Sequence, residues 1–206
     1  QADMQVRSRK SYFDESLYPW LAKQKGVAVA NPVLELNVAV VDQQSTRNDQ
    51  KLKILGIDMF RAAQISPDLL GLPEQGKTLD RLASDTIFLS PAAMEWLQVK
   101  QGDDLHVYAG LHTLSLRVAG GLVRARAGQR LAVMDIGAMQ WGFDQLGLLS
   151  RIELKLQPGV NHASFKAWLT EELGATYWPT EAADQELRVA NMSRAYRINL
   201  NMLALV

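Results

Sequence analysis

Two alternating segments on either side of a wholly polar one constrain the fold of this chain most strongly. Residues 27–41 are rich in Val, Leu and Ala and alternate with polar residues around Leu34–Val38. Residues 51–60 alternate in the same way, and every residue of 42–50 between them is polar. Alternation with a period of two is typical of half-buried strands, and a polar interruption is typical of a turn. The pattern predicts a long β-hairpin.

Shorter elements are predicted along the rest of the chain. The predicted strands are residues 2–7, Thr86–Leu89, Leu105–Tyr108, Leu114–Val118, Leu131–Ile136, Arg151–Leu156 and Ala175–Trp178. The predicted helices are residues 17–21, 91–97, 137–146 and 163–173. Asp14 or Ser16 would cap the first helix and Gly26 would close it, Ser90–Pro91 would begin the second, and Gly174 would end the last. Residues 64–84 contain several Pro and Gly residues, which predicts a connection rich in loops. This mixture predicts an α+β fold.

Composition excludes several classes of protein. Hydrophobic residues make up 48% of the 206 residues, which excludes wholesale disorder. The 22 Lys and Arg residues cancel the 22 Asp and Glu residues, so no net charge attracts nucleic acid or an anionic membrane. The absence of cysteine excludes disulfides, thiol nucleophiles and Cys-ligated zinc.

One motif suggests nucleotide binding. Residues Gly71–Thr78 match the P-loop pattern G-x-x-x-x-G-K-[ST], which would place Lys77 on phosphates and Asp135, at the end of a predicted strand, on magnesium. Within the motif, however, Pro73 removes a backbone N–H donor and Glu74 adds a repelling charge. A proline in the preceding segment also disfavours the buried strand that a P-loop needs. A surface turn is the favoured interpretation.

Other chemical motifs are weak. The spacing of His106, His112 and His162 does not match a zinc motif, so no metal site is expected. The adjacent Asp103–Asp104 follows a glycine and is typical of a turn rather than of a catalytic pair. The tryptophans could line an apolar groove, although their positions beside Leu and Phe favour core packing. These tryptophans are Trp20, Trp96, Trp141, Trp168 and Trp178.

The C-terminal residues become steadily more apolar. No carboxylate follows Glu186, and residues 202–206 are Met-Leu-Ala-Leu-Val. We expect a continuous helix from about Glu181 to Val206 that is the beginning of a membrane-spanning segment. The alternative is a C-terminal helix docked into the core. Carboxylates early in this helix and arginines later would complement the helix dipole.

Several segments, taken in order, resemble the extracytoplasmic domain of FtsX/MacB-like ABC transporter permeases. They are Gly56–Phe60 (GIDMF), Asp85–Ala93 (DTIFLSPAA), Gly102–Leu105 (GDDL), Ala132–Ile136 (AVMDI) and Ser150–Gly159 (SRIELKLQPG). Residues Ser193–Leu200 (SRAYRINL) resemble the start of that family's second transmembrane helix. The resemblance extends from about Asp3 to Val206.

The resemblance implies an architecture and a role. It implies a porter-like β-α-β subdomain next to the membrane, residues 1–63 and 148–206, and an inserted, mostly β, sabre-like subdomain, residues 64–147. Such permeases are dimers in the bacterial inner membrane, driven by a separate cytoplasmic ATPase subunit, and they relay its motion to the periplasm. Their cargo is lipid, lipoprotein or other hydrophobic molecules, with a periplasmic partner in some relatives.

For this chain the resemblance implies a non-catalytic domain, and we expect no cofactor. The balanced charge gives no reason to expect nucleic-acid binding. The expected coupling residues lie in the membrane-proximal helix: Arg194, Tyr196, Arg197, Asn199 and Leu200. Two alternatives remain open, a P-loop nucleotide-binding enzyme and a free-standing periplasmic binding or chaperone domain.

Overall fold

The computed structural model describes residues 2–41, 51–65, 85–122 and 127–182. These residues form two compact units. The first comprises residues 2–12, 17–30 and 151–182, and the second comprises residues 13–16 and the described part of 31–150. The second unit is therefore inserted into the sequence of the first.

Both units contain strands and helices. The strands are β1 (Met4–Ser8), β2 (Phe13–Asp14), β3 (Val27–Ala39), β4 (Lys51–Ile57), β5 (Thr86–Leu89), β6 (Asp104–Ala109), β7 (His112–Gly121), β8 (Leu131–Asp135), β9 (Leu148–Leu149), β10 (Arg151–Leu156) and β11 (Tyr177–Glu181). The helices are α1 (Leu17–Ala22), α2 (Met59–Ile65), α3 (Pro91–Leu97), α4 (Ile136–Gly142) and α5 (His162–Leu173). The predicted α+β class is confirmed.

The first unit is a sheet in the order β11-β1-β10-β3, to which β3 contributes its first residues. Strand β1 is antiparallel to both neighbours, with Met4 opposite Leu154 on one side and Glu181 on the other. Helix α5 packs against β11 and buries Phe165 and Leu169, which are one helical turn apart. Burial of these apolar side chains holds the helix in the unit.

The second unit contains a mixed sheet in the order β3-β4-β8-β5-β7-β6. Strands β4 and β8 are parallel, as are β5 and β7, whereas the β3–β4, β5–β8 and β6–β7 pairs are antiparallel. The sheet curls until β6 reaches the chain just after β3. There Val40 bridges Val107, and the N–H of Val41 donates to the carbonyl of His106 at 2.9 Å. Strands β2 and β9 form a separate antiparallel pair.

The parallel strands β4 and β8 end side by side, with Ile57 opposite Asp135, and helices α2 and α4 follow them directly. Helix α4 then crosses β4 so closely that a Cβ atom on Gly56 would lie 2.6 Å from Sδ of Met139. It would also lie 3.2 Å from the backbone Cα of Ile136. A larger residue at this crossing would require the Met139 side chain to move and the start of α4 to shift slightly.

The hairpin prediction is confirmed, because β3 and β4 are antiparallel with Ala39 opposite Lys51. The predicted turn at 42–50 and most of the predicted connection at 64–84 lie outside the described residues. The strands predicted at residues 2–7, 86–89, 105–108, 114–118, 131–136 and 151–156 are confirmed, as are all four predicted helices, with small differences at their ends. Ser90 caps α3 as predicted, since its hydroxyl accepts the N–H of Ala93.

Four boundaries were predicted wrongly. Residues Met59–Phe60 begin α2 instead of extending the strand, because Asp58 accepts the N–H of Arg61 and starts a helix. Helix α4 ends at Gly142, not Leu146, since Asp144 takes a left-handed conformation with φ of 54°. Helix α1 ends before Gly26.

The last strand also lies later than predicted, at Tyr177–Glu181. It includes Pro179, which an outermost strand tolerates because its missing N–H need not join a ladder. The predicted division into porter-like and sabre-like subdomains stays a prediction, whereas the compact units divide at 30/31 and 150/151.

We expect Gly56→Ala to lower the free energy of unfolding by about 1–3 kcal/mol, because the new methyl group must displace α4 or strain its side chains. Urea denaturation of both proteins measures the difference. Gly121→Ala in β7 is the matched control, since its Cβ would meet nothing closer than the Leu89 carbonyl at 3.7 Å. Equal losses in the two variants would contradict this account.

Candidate functional site

The first and last described residues of the first unit lie side by side. Met4, the first residue of β1, lies opposite Glu181, the last residue of β11. Beyond this pair, the N–H of Ala182 donates to the carbonyl of Asp3 at 3.1 Å. The two described ends are therefore joined by backbone hydrogen bonds, and this place is here named the chain exit.

Asp3 ties this exit to a third strand. Its N–H donates to the Leu154 carbonyl at 2.9 Å, and its Oδ2 accepts the N–H of Leu156 at 2.9 Å. One residue thus contacts the ends of β10 and β11 while it precedes β1. A carboxylate that accepts a backbone N–H fixes the geometry of the exit.

Asp135 acts as a cap for helix starts. Its Oδ2 accepts the N–H groups of Gly137 and Ala138, at 3.1 and 3.3 Å, as the N-cap of α4. Its Oδ1 accepts the N–H of Met59, the first residue of α2, at 3.3 Å. The carboxylate therefore joins two helix starts, a role that accounts for an aspartate at this position without magnesium. Lys77 and the P-loop match lie outside the described residues.

The other polar candidates occupy structural positions. Asp103 lies in the turn before β6, where its Oδ2 accepts the N–H of Lys100 at 2.9 Å, and Asp104 is exposed on the strand. His106 is exposed in β6, His112 begins β7, and His162 begins α5 in the other unit. Within the described part of the chain no three His, Asp or Glu side chains cluster in a way that could hold a metal ion.

The carboxyl group of Asp14, the last residue of β2, has a shifted pKa. Asp14 precedes α1, and hydrogen bonds from the Ser16 side chain and then its backbone N–H lower the pKa of Asp14. The backbone bond is 2.8 Å long. Asp14 thus forms a turn with Ser16 just before the helix, and the predicted capping of α1 by Asp14 or Ser16 stays a prediction.

Core packing was the wrong prediction for four of the tryptophans. Trp141 is 76% exposed on α4, and Trp20, Trp168 and Trp178 are each about two-fifths exposed. Trp96 is half-buried, with the Arg130 guanidinium 4.7 Å above its ring centre. On the helices each exposed ring is next to a fully or largely buried neighbour, so it borders the buried face rather than entering it.

Two of these rings form a stacked pair on the first unit. Trp20 of α1 and Trp168 of α5 have ring centres 6.4 Å apart and planes 11° from parallel. Phe165, which is buried, lies 5.6 Å from Trp168 in a tilted contact. The pair therefore rests on the core while it keeps an exposed surface. Neighbouring apolar residues in the sequence did not distinguish this arrangement from burial.

The predicted coupling helix falls almost entirely beyond the described residues. Its expected start, Glu181, belongs to β11 and pairs with Met4, so that part of the prediction is wrong. The residues expected to couple movement, Arg194, Tyr196, Arg197, Asn199 and Leu200, lie outside the described residues. None of the helices that the structure describes has the length and apolar character needed to cross a membrane.

The architecture of a discontinuous sheet unit carrying an inserted mixed-sheet unit is found in solved domains of bacterial transporters. The periplasmic region of MacB from Actinobacillus actinomycetemcomitans matches with a TM-score of 0.64 and 13% identity over 93% of this chain and 94% of that one. The extracellular domain of the noncanonic ABC-type transporter YknZ from Gram-positive bacteria matches with a TM-score of 0.61 and 11% identity, over 88% and 100%.

A domain of a permease protein from Porphyromonas gingivalis is similar as well, with a TM-score of 0.52 and 15% identity over 87% of this chain and 89% of that one. No protein-family model and no curated protein sequence matches the chain. The resemblance to MacB-like periplasmic domains is thus confirmed at the level of the fold.

We expect Asp135→Ala to lower the free energy of unfolding by about 1–2 kcal/mol, because the N–H groups at two helix starts lose their acceptor. Urea denaturation measures the loss. Asp104→Ala, an exposed strand position, should change stability by less than about 0.5 kcal/mol. A variant that kept its stability but lost magnesium-dependent ATP binding would contradict the capping role.

Proposed function

We propose that this chain is the extracytoplasmic domain of an ABC transporter permease of the FtsX/MacB-like kind, facing the periplasm from the inner membrane. The observation that carries the proposal is the match in fold over nearly the whole of this chain and of the MacB periplasmic region. Fold alone does not determine activity, so the proposal needs support from the molecule itself.

The joined chain ends supply that support. A domain placed between two membrane spans must receive and return the chain on one side. In the first unit the ends are adjacent, since Asp3 and Ala182 share a backbone hydrogen bond. The apolar residues near Val206 follow one of these ends in the sequence. This arrangement fits a domain whose two ends continue into neighbouring transmembrane helices.

The domain would couple and bind rather than catalyse. In this proposal a separate cytoplasmic ATPase subunit hydrolyses ATP, and two permease copies relay the resulting movement through their membrane helices to the periplasm. Residues 1–63 and 148–206 would be the porter-like, membrane-proximal part, and residues 64–147 the sabre-like part. The transported cargo would be lipid, lipoprotein or another hydrophobic molecule, with a periplasmic partner.

The nucleotide-binding alternative loses one of its two supports. The aspartate that it requires on magnesium is already bonded to three backbone N–H groups, two in α4 and one in α2. Calorimetric titration with ATP and magnesium measures the ATP affinity of the wild-type chain and of the Lys77→Ala variant. Micromolar ATP binding that disappears in the variant would overturn the proposal in favour of a P-loop enzyme.

These 206 residues contain no cysteine, so single introduced cysteines, with any cysteine elsewhere in the encoded protein replaced by serine, allow a direct test of location. Ala167→Cys in α5 and Ser115→Cys in β7 introduce exposed thiols, one in each unit. We expect both variants of the full encoded protein to react with a membrane-impermeant maleimide on intact spheroplasts and to stay in the washed membrane fraction. Gel-shift detection of the label gives the measurement.

Ala93→Cys serves as the matched control, since this small side chain is fully buried and should react only after unfolding. Labelling of the exposed cysteines only after lysis would exclude a periplasmic orientation. Labelled protein that is released with the soluble periplasmic fraction would favour the free-standing binding or chaperone domain.

A further inference from the structure

An exposed aromatic pair and two exposed lysines lie together on the first unit. Trp20 and Trp168 are 38% and 40% exposed although they stack on each other. Lys23 and Lys25 are exposed in the turn that follows α1, and the N–H of Lys23 donates to the Trp20 carbonyl at 3.3 Å. These four residues are here named the aromatic–basic patch.

Buried core residues hold the two tryptophan rings of the patch in place. Phe165 is buried, contacts Trp168, and comes one helical turn before it in α5. Leu21, fully buried, follows Trp20 in α1. Each tryptophan is therefore anchored by a core neighbour, so its exposed face has a fixed orientation and loses little conformational entropy on binding a surface.

A series of contacts connects the patch to the chain exit at Asp3 and Ala182. Leu156 donates its N–H to Asp3, and the next residue, Gln157, donates its N–H to the Gly26 carbonyl at 2.7 Å. Gly26 directly follows the lysine turn, and a Cβ atom built on it would be 3.5 Å from the Phe165 ring. The patch and the chain exit thus share neighbouring residues.

Charged side chains lie on both sides of the stacked rings. The lysine turn contacts the beginning of α5 through Gly26 and Phe165, whereas the exposed Glu171 and Glu172 lie in its last turn, three and four residues after Trp168. The lysines are therefore on the side of the rings that is nearer to the first residues of α5. Tryptophan and lysine together favour the headgroup layer of a membrane, the ring for its amphipathic character and the amine for anionic phosphate.

We propose that the aromatic–basic patch binds the surface of an anionic lipid bilayer, with the stacked rings in the headgroup layer and the lysines on lipid phosphates. This inference rests on the proposed function, because it takes the chain exit to be the side that faces the membrane. The contact would set the tilt of the first unit on the bilayer.

Binding of the full chain to phosphatidylcholine vesicles, with and without phosphatidylglycerol, tests the proposal by sedimentation. We expect Trp168→Ala to weaken binding to the anionic vesicles at least about fivefold, since apolar contact area is lost. The double variant K23E/K25E should weaken it at least about tenfold and should have little effect on neutral vesicles. Trp168→Phe should restore part of the lost affinity.

Matched controls come from the second unit. Trp141→Ala removes a more exposed tryptophan, and K51E/K100E reverses two exposed lysines, so neither should change vesicle binding more than about twofold. Circular dichroism checks that each variant is folded. Brominated lipid quenches nearby tryptophans, so the tryptophan fluorescence of the W141F variant should fall when it binds vesicles of this lipid. Adding W20F/W168F to that variant should abolish most of the quenching.

Two results would overturn the proposal. One is equal affinity of the wild-type chain, Trp168→Ala and K23E/K25E, as expected if only the apolar C-terminal residues bind lipid. The other is a loss in the second-unit controls as large as in the patch variants. If either result were obtained while the introduced cysteines were labelled from outside, the proposed lipid contact would be rejected. The proposed transporter role would still stand.

Discussion

The first unit depends on the pairing of β1 with strands from the other end of the chain. Both neighbours of this short strand, β10 and β11, lie more than a hundred residues away in the sequence. Asp3 reinforces the arrangement with bonds to Leu154, Leu156 and Ala182. Because β1 precedes the second unit in the sequence and β10 and β11 follow it, this pairing closes the first unit across the insertion and holds the described chain ends together.

Much of this fold could be predicted because its signals are local. Alternation in residues 27–41 and 51–57 specifies two half-buried strands, and the intervening polar residues make antiparallel pairing the short connection. Ser90 before Pro91 is a local capping signal and was placed correctly. The same kind of signal was present at Asp58 and was overlooked, because the apolar residues after it continued the strand pattern.

The remainder could not be predicted because it depends on contacts that are distant in sequence. Nothing near Gly56 indicates that α4 crosses it, and nothing near Asp135 indicates that it also caps α2. The prediction that the stacked tryptophans pack in the core failed for a related reason. Trp168 is next to the buried Leu169, and successive side chains on a helix point about 100° apart. Burial at such a boundary is decided by α1 packing beside α5.

Holding both chain ends on adjacent antiparallel strands has a mechanical consequence. A force that pulls Asp3 and Ala182 in the same direction moves the paired strands β1 and β11 together. A force that pulls these two residues apart breaks the hydrogen bonds between the strands one after another. Each bond contributes only about 1 kcal/mol of net stability, so breaking them in turn meets little resistance. Two helices attached at this point would have to travel as a pair for displacement to reach the opposite end of the ladder, at Ser8 and Tyr177.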